Sequence, residues 1–313
     1  MGDLKENKNN IFILIIILLV FSLCSEVLYA DDLVKNRPIA VMIGNSPNER
    51  NIQKGIEGAD IIYEIEVEYP FTRLMALFFG DKGTVVGPIR SSRYYFSRIS
   101  IEWSPIFVHC GGQNLKNENV LDIDELSNHF LFWRDKKIGG WINLFTDISK
   151  LKKQINKDNF LNLNNSTSHN LLNFHTHSLN YKNQVNRISI KYNEDYIISY
   201  QYDPYEELYY RYINNSSPTL LKNQKKIKVS NILIQYVPIE QIKGDELGRV
   251  QVELIGEGTG KYFHSGCYQP IKWIKKNKYD QTYFFDSTGS PIVLNKGLTW
   301  IYILSLDNEV WFK

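Results

Sequence analysis

The sequence predicts an α+β protein in which an N-terminal mixed α/β domain is followed by a smaller, mostly β domain. Two observations carry this expectation. Up to about residue 150, short apolar runs alternate with segments of helical spacing. Beyond residue 187, strand-like runs follow one another with turn residues between them. A third observation concerns address. Ile11 to Cys24 is apolar apart from Ser22, shorter than the ~20 residues of a comfortable membrane span. Lys5 and Lys8 precede it, and Ala30 stands before Asp31-Asp32, the layout of a signal-peptide core and a small-residue cleavage site. The expected divisions are residues 1–30 as signal peptide or N-terminal anchor, 31–186 as the α/β domain and 187–313 as the β domain.

Ile39-Ala40-Val41-Met42-Ile43 reads as a buried strand closed by Gly44-Asn45-Ser46-Pro47. A short helix is expected around Ile52 to Gly58. Asp60 to Glu68 alternates, and Arg73 to Phe79 reads as another strand. Gly87-Pro88 marks a turn before a helix from about Ser92 to Glu102, in which Phe96, Ile99 and Trp103 keep helical spacing. Pro105 to His109 is a further strand, closed by Gly111-Gly112. Lys150 to about Asn186 has no clean period and reads as an insertion or linker. After it, Ile188–Tyr192, Ile232–Tyr236, Val250–Leu254 and Thr299–Ile303 are strand-like. Gly256-Glu257-Gly258-Thr259-Gly260-Lys261 lacks phosphate-loop spacing and reads as a hairpin or bulge.

A net charge of +2 over 313 residues gives no electrostatic case for nucleic acid, and the basic run Lys222 to Lys228 reads as a solvated loop. Cys110 and Cys267 are expected as separate buried thiols. His169, His175 and His177 lie in an Asn-rich stretch with no carboxylate close by, so no metal and no cofactor is expected. Cys24 offers lipidation, but Leu23 is bulky where a lipobox carries a small residue. Secretion or an uncleaved anchor is the preferred reading, with the membrane touched only through this segment and the mature chain on its outer side.

Candidate chemistry clusters in the N-terminal half. Glu64, Glu66 and Glu68 fall on one face of a regular strand. Tyr69-Pro70-Phe71-Thr72 suits a type I turn, and a four-residue hairpin there would set Glu68 opposite Arg73. Such a row could hold a catalytic acid, a cation or a sugar, or could be an exposed strand face. Arg90-Ser91-Ser92-Arg93 opens a helix whose start, capped by Ser91 or Ser92, attracts anions. Alternatively, Arg90 and Arg93 pair the preceding glutamates. His109 is a general acid, an anion donor or a core histidine; Cys110, its strand neighbour, points the other way. Phe132-Trp133-Arg134-Asp135 places aromatics beside charges, as in a carbohydrate cleft or a packed corner with a local salt bridge.

These segments resemble the bacterial YerB-like lipoprotein family, two-domain envelope proteins. The matching residues are Arg37 to Ile43, Ala59 to Glu64, Val67-Glu68 with Thr72-Arg73, and Gly87 to Arg93. They continue through Val108-His109, Gly111-Gly112, Phe132 to Asp135, Asn231 to Ile234, Trp273 to Lys276 and Gly297 to Trp300. Two departures stand out. The family's Gly-Gly turn after Glu68 is Tyr69-Pro70. Its Pro-His-Asn-Leu-Tyr stretch is Trp141-Ile142-Asn143-Leu144-Phe145, with Ile142 in the histidine's place.

The resemblance implies location and layout without an activity. The expected function is binding of an anionic cell-wall component or an envelope partner through an Arg/Glu/His cleft. Its ligand residues would be Arg73, Arg90, Ser91, Arg93, Arg134, Asp135 and Asn143. The alternative is a wall-modifying hydrolase or lyase with Glu68 or Glu64 as general acid/base and His109 assisting. A third reading is a scaffold in which these charges only satisfy one another.

Overall fold

The structure is a computed structural model that describes residues 37–80, 83–112, 121–125, 128–157, 173–175, 184–214 and 226–313. The apolar segment with Cys24 and Ala30, the residues His169 and His177, and most of the Lys222 to Lys228 run lie outside the described residues.

Strands account for 52% of the structure and helices for 12%, so the expected α+β class with a mixed α/β N-terminal domain is corrected to a mainly β protein. The reason is local. Ile61–Glu68 and Phe71–Phe78 pair with each other as an antiparallel hairpin, as their turn residues suggest, and the chain around them supplies little helix to alternate with the strands. The helix expected at Ile52 to Gly58 is a single 3-10 turn, Ile56–Gly58. Among the described residues the α-helices are Pro47–Arg50, Tyr94–Trp103 and Ile148–Lys157. The last of these falls in the stretch that lacked a sequence period.

A ten-stranded sheet forms the centre. Its N-terminal half orders Ile61–Glu68, Phe71–Phe78, Ile39–Gly44, Ile106–His109 and Leu121–Asp124. Its C-terminal half orders Tyr283–Phe285, Cys267–Lys275, Gly256–His264, Asn231–Tyr236 and Thr299–Leu304. The halves join where Ile61 to Ile65 runs parallel to Thr299 to Ile303. One sheet is thus built from strands on both sides of residue 187. A five-stranded sheet of Lys228–Val229, Leu208–Ile213, Tyr196–Asp203, Arg187–Asn193 and Glu309–Phe312 packs over it.

Both faces of the central sheet are covered, which explains its unbroken apolar runs. Ile39, Val41, Ile43, Ile62, Trp300 and Tyr302 face the five-stranded sheet through Ile188, Ile190, Ile198 and Tyr200. Ala40, Met42, Tyr63, Ile65 and Ile301 face the other way, with Tyr95, Phe96 and Ile99 of the helix Tyr94–Trp103. Buried Glu102 at the end of that helix pairs with buried Lys275 at 2.7 Å, fastening it to the C-terminal half.

Glu64 lies wholly buried between the two sheets. One oxygen accepts from Asn45 at 3.0 Å, Thr72 at 2.9 Å and Tyr196 at 2.7 Å. The other accepts from Arg211 at 3.3 Å and the Trp300 indole at 3.1 Å. Removing one partner of a buried ion pair strands the other charge and costs about 3–5 kcal/mol. Arg211→Met is therefore expected to lower the urea-unfolding free energy by that amount. A loss under ~1 kcal/mol would mean that the network does not hold the sheets together.

Candidate functional site

Seven strands of the central sheet run the same way, and Gly44, Glu68, His109, Asp124, Tyr236, Lys275 and Leu304 end them along one rim. Strand ends of this kind commonly present ligand groups. Every candidate residue except Glu64 lies at or near this rim.

The glutamate row is broken by a bulge. Glu66 pairs with Thr72, but Glu68 pairs with Phe71, so Val67 is the extra residue. A one-residue shift turns side chains to the other face. Glu64 and Glu66 stay on the side of the five-stranded sheet, while Glu68 turns to the opposite face with Arg73. The expectation that all three share a face is corrected accordingly. The loop is the two residues Tyr69-Pro70, so Arg73 stands opposite Ile65 and not Glu68. The expected ion pair forms nonetheless, on the diagonal, at 3.4 Å. Glu64 serves the core and reaches no solvent; burial raises the pKa of Glu66.

Arg73 also donates to the Ser91 carbonyl at 2.7 Å, which makes Ser91 a backbone acceptor. Arg93 forms an ion pair with the other oxygen of Glu68, so one carboxylate sits between two guanidinium groups. The N-cap of the helix Tyr94–Trp103 is Arg93 itself, with extended backbone and no side-chain cap, where Ser91 or Ser92 was expected. Arg90 pairs with Glu49, not with the strand glutamates. Gly44 permits that: a Cβ there would collide with the Glu49 carboxylate. Gly112, at φ +87, likewise lets the turn after His109 press against the Ser92 backbone.

Burial lowers the pKa of Arg73, Arg90 and Arg93. Tyr95 and then Glu49 oppose this at Arg73, Glu49 opposes it at Arg90, and Tyr95 and then Asp245 oppose it at Arg93. The Nε of Arg93 is buried with no acceptor. Arg93 lines a cleft of about 480 Å³ together with Tyr94, Tyr95, Asp245, Leu247 and Arg249. Arg249 is tied to Asp245, Nε to Oδ2 at 2.6 Å.

His109 is fully buried, with Nε2 2.6 Å from Asp122 and Nδ1 2.9 Å from the Gly111 carbonyl. Burial by itself lowers its pKa, but the hydrogen bond and charge of Asp122 outweigh that and the net shift is upward. It organises the rim from within. Cys110 and Cys267 are separate thiols, Cys110 only half-buried. Burial first, then Glu125, pushes the Cys110 thiol up to about 11.

Arg134 and Asp135 do not pair with each other. Arg134 reaches Asn143 at 3.2 Å and Glu125 at 3.7 Å, while Asp135 meets Lys54 at 3.6 Å. Asn143 donates to the Ile138 carbonyl at 3.3 Å, closing that loop.

The structure thus joins Glu68, Arg73, Ser91 and Arg93 directly, and Arg90 through Glu49. It sets Arg134, Asp135 and Asn143 on the neighbouring hairpin and separates off Glu64 and His109. Sequence reasoning missed Glu49, Asp122, Trp141, Asp245 and Arg249. Only Glu49 left a trace, since Ser46-Pro47-Asn48-Glu49 has capping-box spacing, and Glu49 does accept from the Ser46 N–H at 2.8 Å.

Residues 25–161 match the N-terminal domain, and residues 188–301 the C-terminal domain, of DUF3048, a protein family of unknown function. YerB, a candidate lipoprotein of Bacillus subtilis (strain 168), is 30% identical over 256 residues, covering 78% of this chain and 74% of that protein. The crystal structure of the YerB protein from Bacillus subtilis superposes with a TM-score of 0.73 at 27% identity, over 88% of this chain and 94% of that one.

Two measurements follow from the histidine and the thiol. A raised His109 pKa means its contribution to stability is complete below about 6.5 and is lost as pH rises through the folded-state value. The Tm difference between wild type and His109→Gln is expected to shrink as pH climbs above ~6.5; a difference constant with pH would contradict the assignment. At pH 8, Cys110 should hold roughly a hundredfold less thiolate than an unshifted thiol. Mapping iodoacetamide labelling by mass spectrometry reads this directly, and ordinary reactivity would refute it.

Proposed function

The chain belongs to the two-domain DUF3048 family, and on that premise we propose that it is an exported envelope protein that binds an anionic cell-wall component through the rim cleft. The observation that carries this reading is Arg93, which lines the cleft and has a buried Nε–H without an acceptor. An unpaired buried donor is costly, and an anion would satisfy it with a charge-assisted bond. The uncapped first turn of the ten-residue helix behind it adds backbone N–H groups of the same polarity. Glu68 occupies the cationic pair Arg73 and Arg93 in the free protein and serves as the counter-ion that a ligand displaces.

Support for the location comes from the Ile11 to Cys24 segment and from the description of YerB as a candidate lipoprotein. The near-neutral balance of +2 supports no nucleic-acid partner. Binding is favoured over hydrolysis by the state of the carboxylates. Glu64 is walled in, and both oxygens of Glu68 are engaged by arginines. His109 is closed off against Asp122. A general acid/base must reach the proton it moves.

Sedimentation of the full chain, in mild detergent, with purified walls tests the proposal. Wild type is expected to co-sediment without releasing fragments. Arg93→Gln should weaken binding about tenfold, ~1.4 kcal/mol, and Glu68→Gln, which removes the internal competitor, should tighten it. Soluble wall fragments that vanish with Glu68→Gln would establish the hydrolase instead. Absence of both binding and fragments would redirect the cleft to an envelope protein.

A further inference from the structure

Among the described residues, buried charges such as Glu64 with Arg211 and Glu102 with Lys275 close on one another. Trp141 is different. It is the most exposed tryptophan among the described residues, at 74%. A single exposed aromatic needs no explanation, but this one is held in a fixed orientation. The Arg90 guanidinium lies 3.6 Å from the ring centroid, and Nη1 donates to the Trp141 carbonyl at 3.4 Å. Arg90 is itself buried and pinned by Glu49. One face of the indole is therefore anchored on a cation while the rest stands in water.

The platform belongs to the same polar strip as the cleft. Arg90 and Arg93 are three positions apart, at most ~11 Å of chain. The ion pairs run from Arg90–Glu49 at one end to Arg73–Glu68–Arg93 at the other. On the platform side, Arg134 and Asn143 are hydrogen-bonded to each other at 3.2 Å. A ligand that meets both ends needs a flat, polarised C–H face for the indole and an acidic group for Arg93. The guanidinium behind the ring draws π density toward itself, so the outer face does not favour a second cation. The polar flanks give no closed apolar pocket for an acyl chain.

We propose that Trp141 is the sugar-stacking subsite of this cleft and that its ligand is an acidic glycan, with one pyranose ring on the outer indole face and a carboxylate at Arg93. This rests on the anion-binding reading above and names its ligand class.

The test titrates the full chain, in mild detergent, with peptide-free peptidoglycan glycan strands, which carry carboxylates on alternate sugars. Neutral chitin oligosaccharides, a lipid-free glycerol-phosphate polymer and an acidic peptide serve as comparisons. Calorimetry gives affinity and tryptophan fluorescence reports stacking. The acidic strands are expected to bind best and to change the fluorescence. Trp141→Ala should weaken them about tenfold and abolish that change, while Trp141→Phe restores most of the affinity. Arg93→Gln should weaken them similarly but leave the fluorescence change at saturation. Because Trp141 is exposed, the alanine variant keeps its fold, as circular dichroism can verify. Wild-type affinity in Trp141→Ala, or preference for the polymer or the peptide, would overturn the glycan assignment while leaving anion binding intact. Unchanged affinity of every anionic probe in Arg93→Gln would overturn the reading beneath it.

Discussion

The buried carboxylate of Glu64 is the constraint around which the molecule is organised. A charge with no access to water must be paired and hydrogen-bonded, and its donors come from far apart in the chain. Asn45 follows the first strand, Thr72 lies near the start of the hairpin's return, Trp300 lies on the adjoining C-terminal strand, and Tyr196 and Arg211 belong to the second sheet. Satisfying Glu64 therefore fixes the register of Ile61–Ile65 against Thr299–Ile303 and the seating of one sheet on the other. Apolar packing alone tolerates slips that this network does not.

The rim follows from the same register. With Glu64 committed inward, a regular strand would carry Glu68 inward too. The extra residue at Val67 reverses that and delivers Glu68 to the face that holds Arg73 and the start of the helix. The bulge separates a core glutamate from one paired with the rim arginines, four residues apart on one strand. On the far side of the rim, His109 and Asp122 hold the Gly111-Gly112 turn against Ser92, so the arginine segment rests on a rigid floor. A binding group is only as well positioned as what packs behind it.

Individual strands were legible because buried strands announce themselves. Ile39 to Ile43 and Thr299 to Ile303 are apolar runs bounded by turn residues, and both are strands. The helix expected from Ser92 to Glu102 is found at Tyr94–Trp103, since Phe96 and Ile99 keep its spacing. Fold class was not legible. That Ile61 to Glu68 pairs on its other side with Thr299 to Ile303, merging both halves into one sheet, depends on contacts far apart in the chain. The helix Ile148–Lys157 carried no signal that a window of sequence could separate from an Asn- and Lys-rich linker.

The amino-acid sequence by itself determined the family, the apolar N-terminal segment, the positions of the main strands and the concentration of arginines between Arg73 and Arg93. These depend on composition and local periodicity, which the chain carries in linear order. Only the tertiary structure decided that Glu64 is core and Glu68 rim, that Glu49 and not a strand glutamate neutralises Arg90, that Trp141 lies over Arg90, and that Asp245 and Arg249 line the cleft beside Arg93. Each of these depends on contacts between residues far apart in sequence or on one bulged residue, and neither leaves a periodic mark.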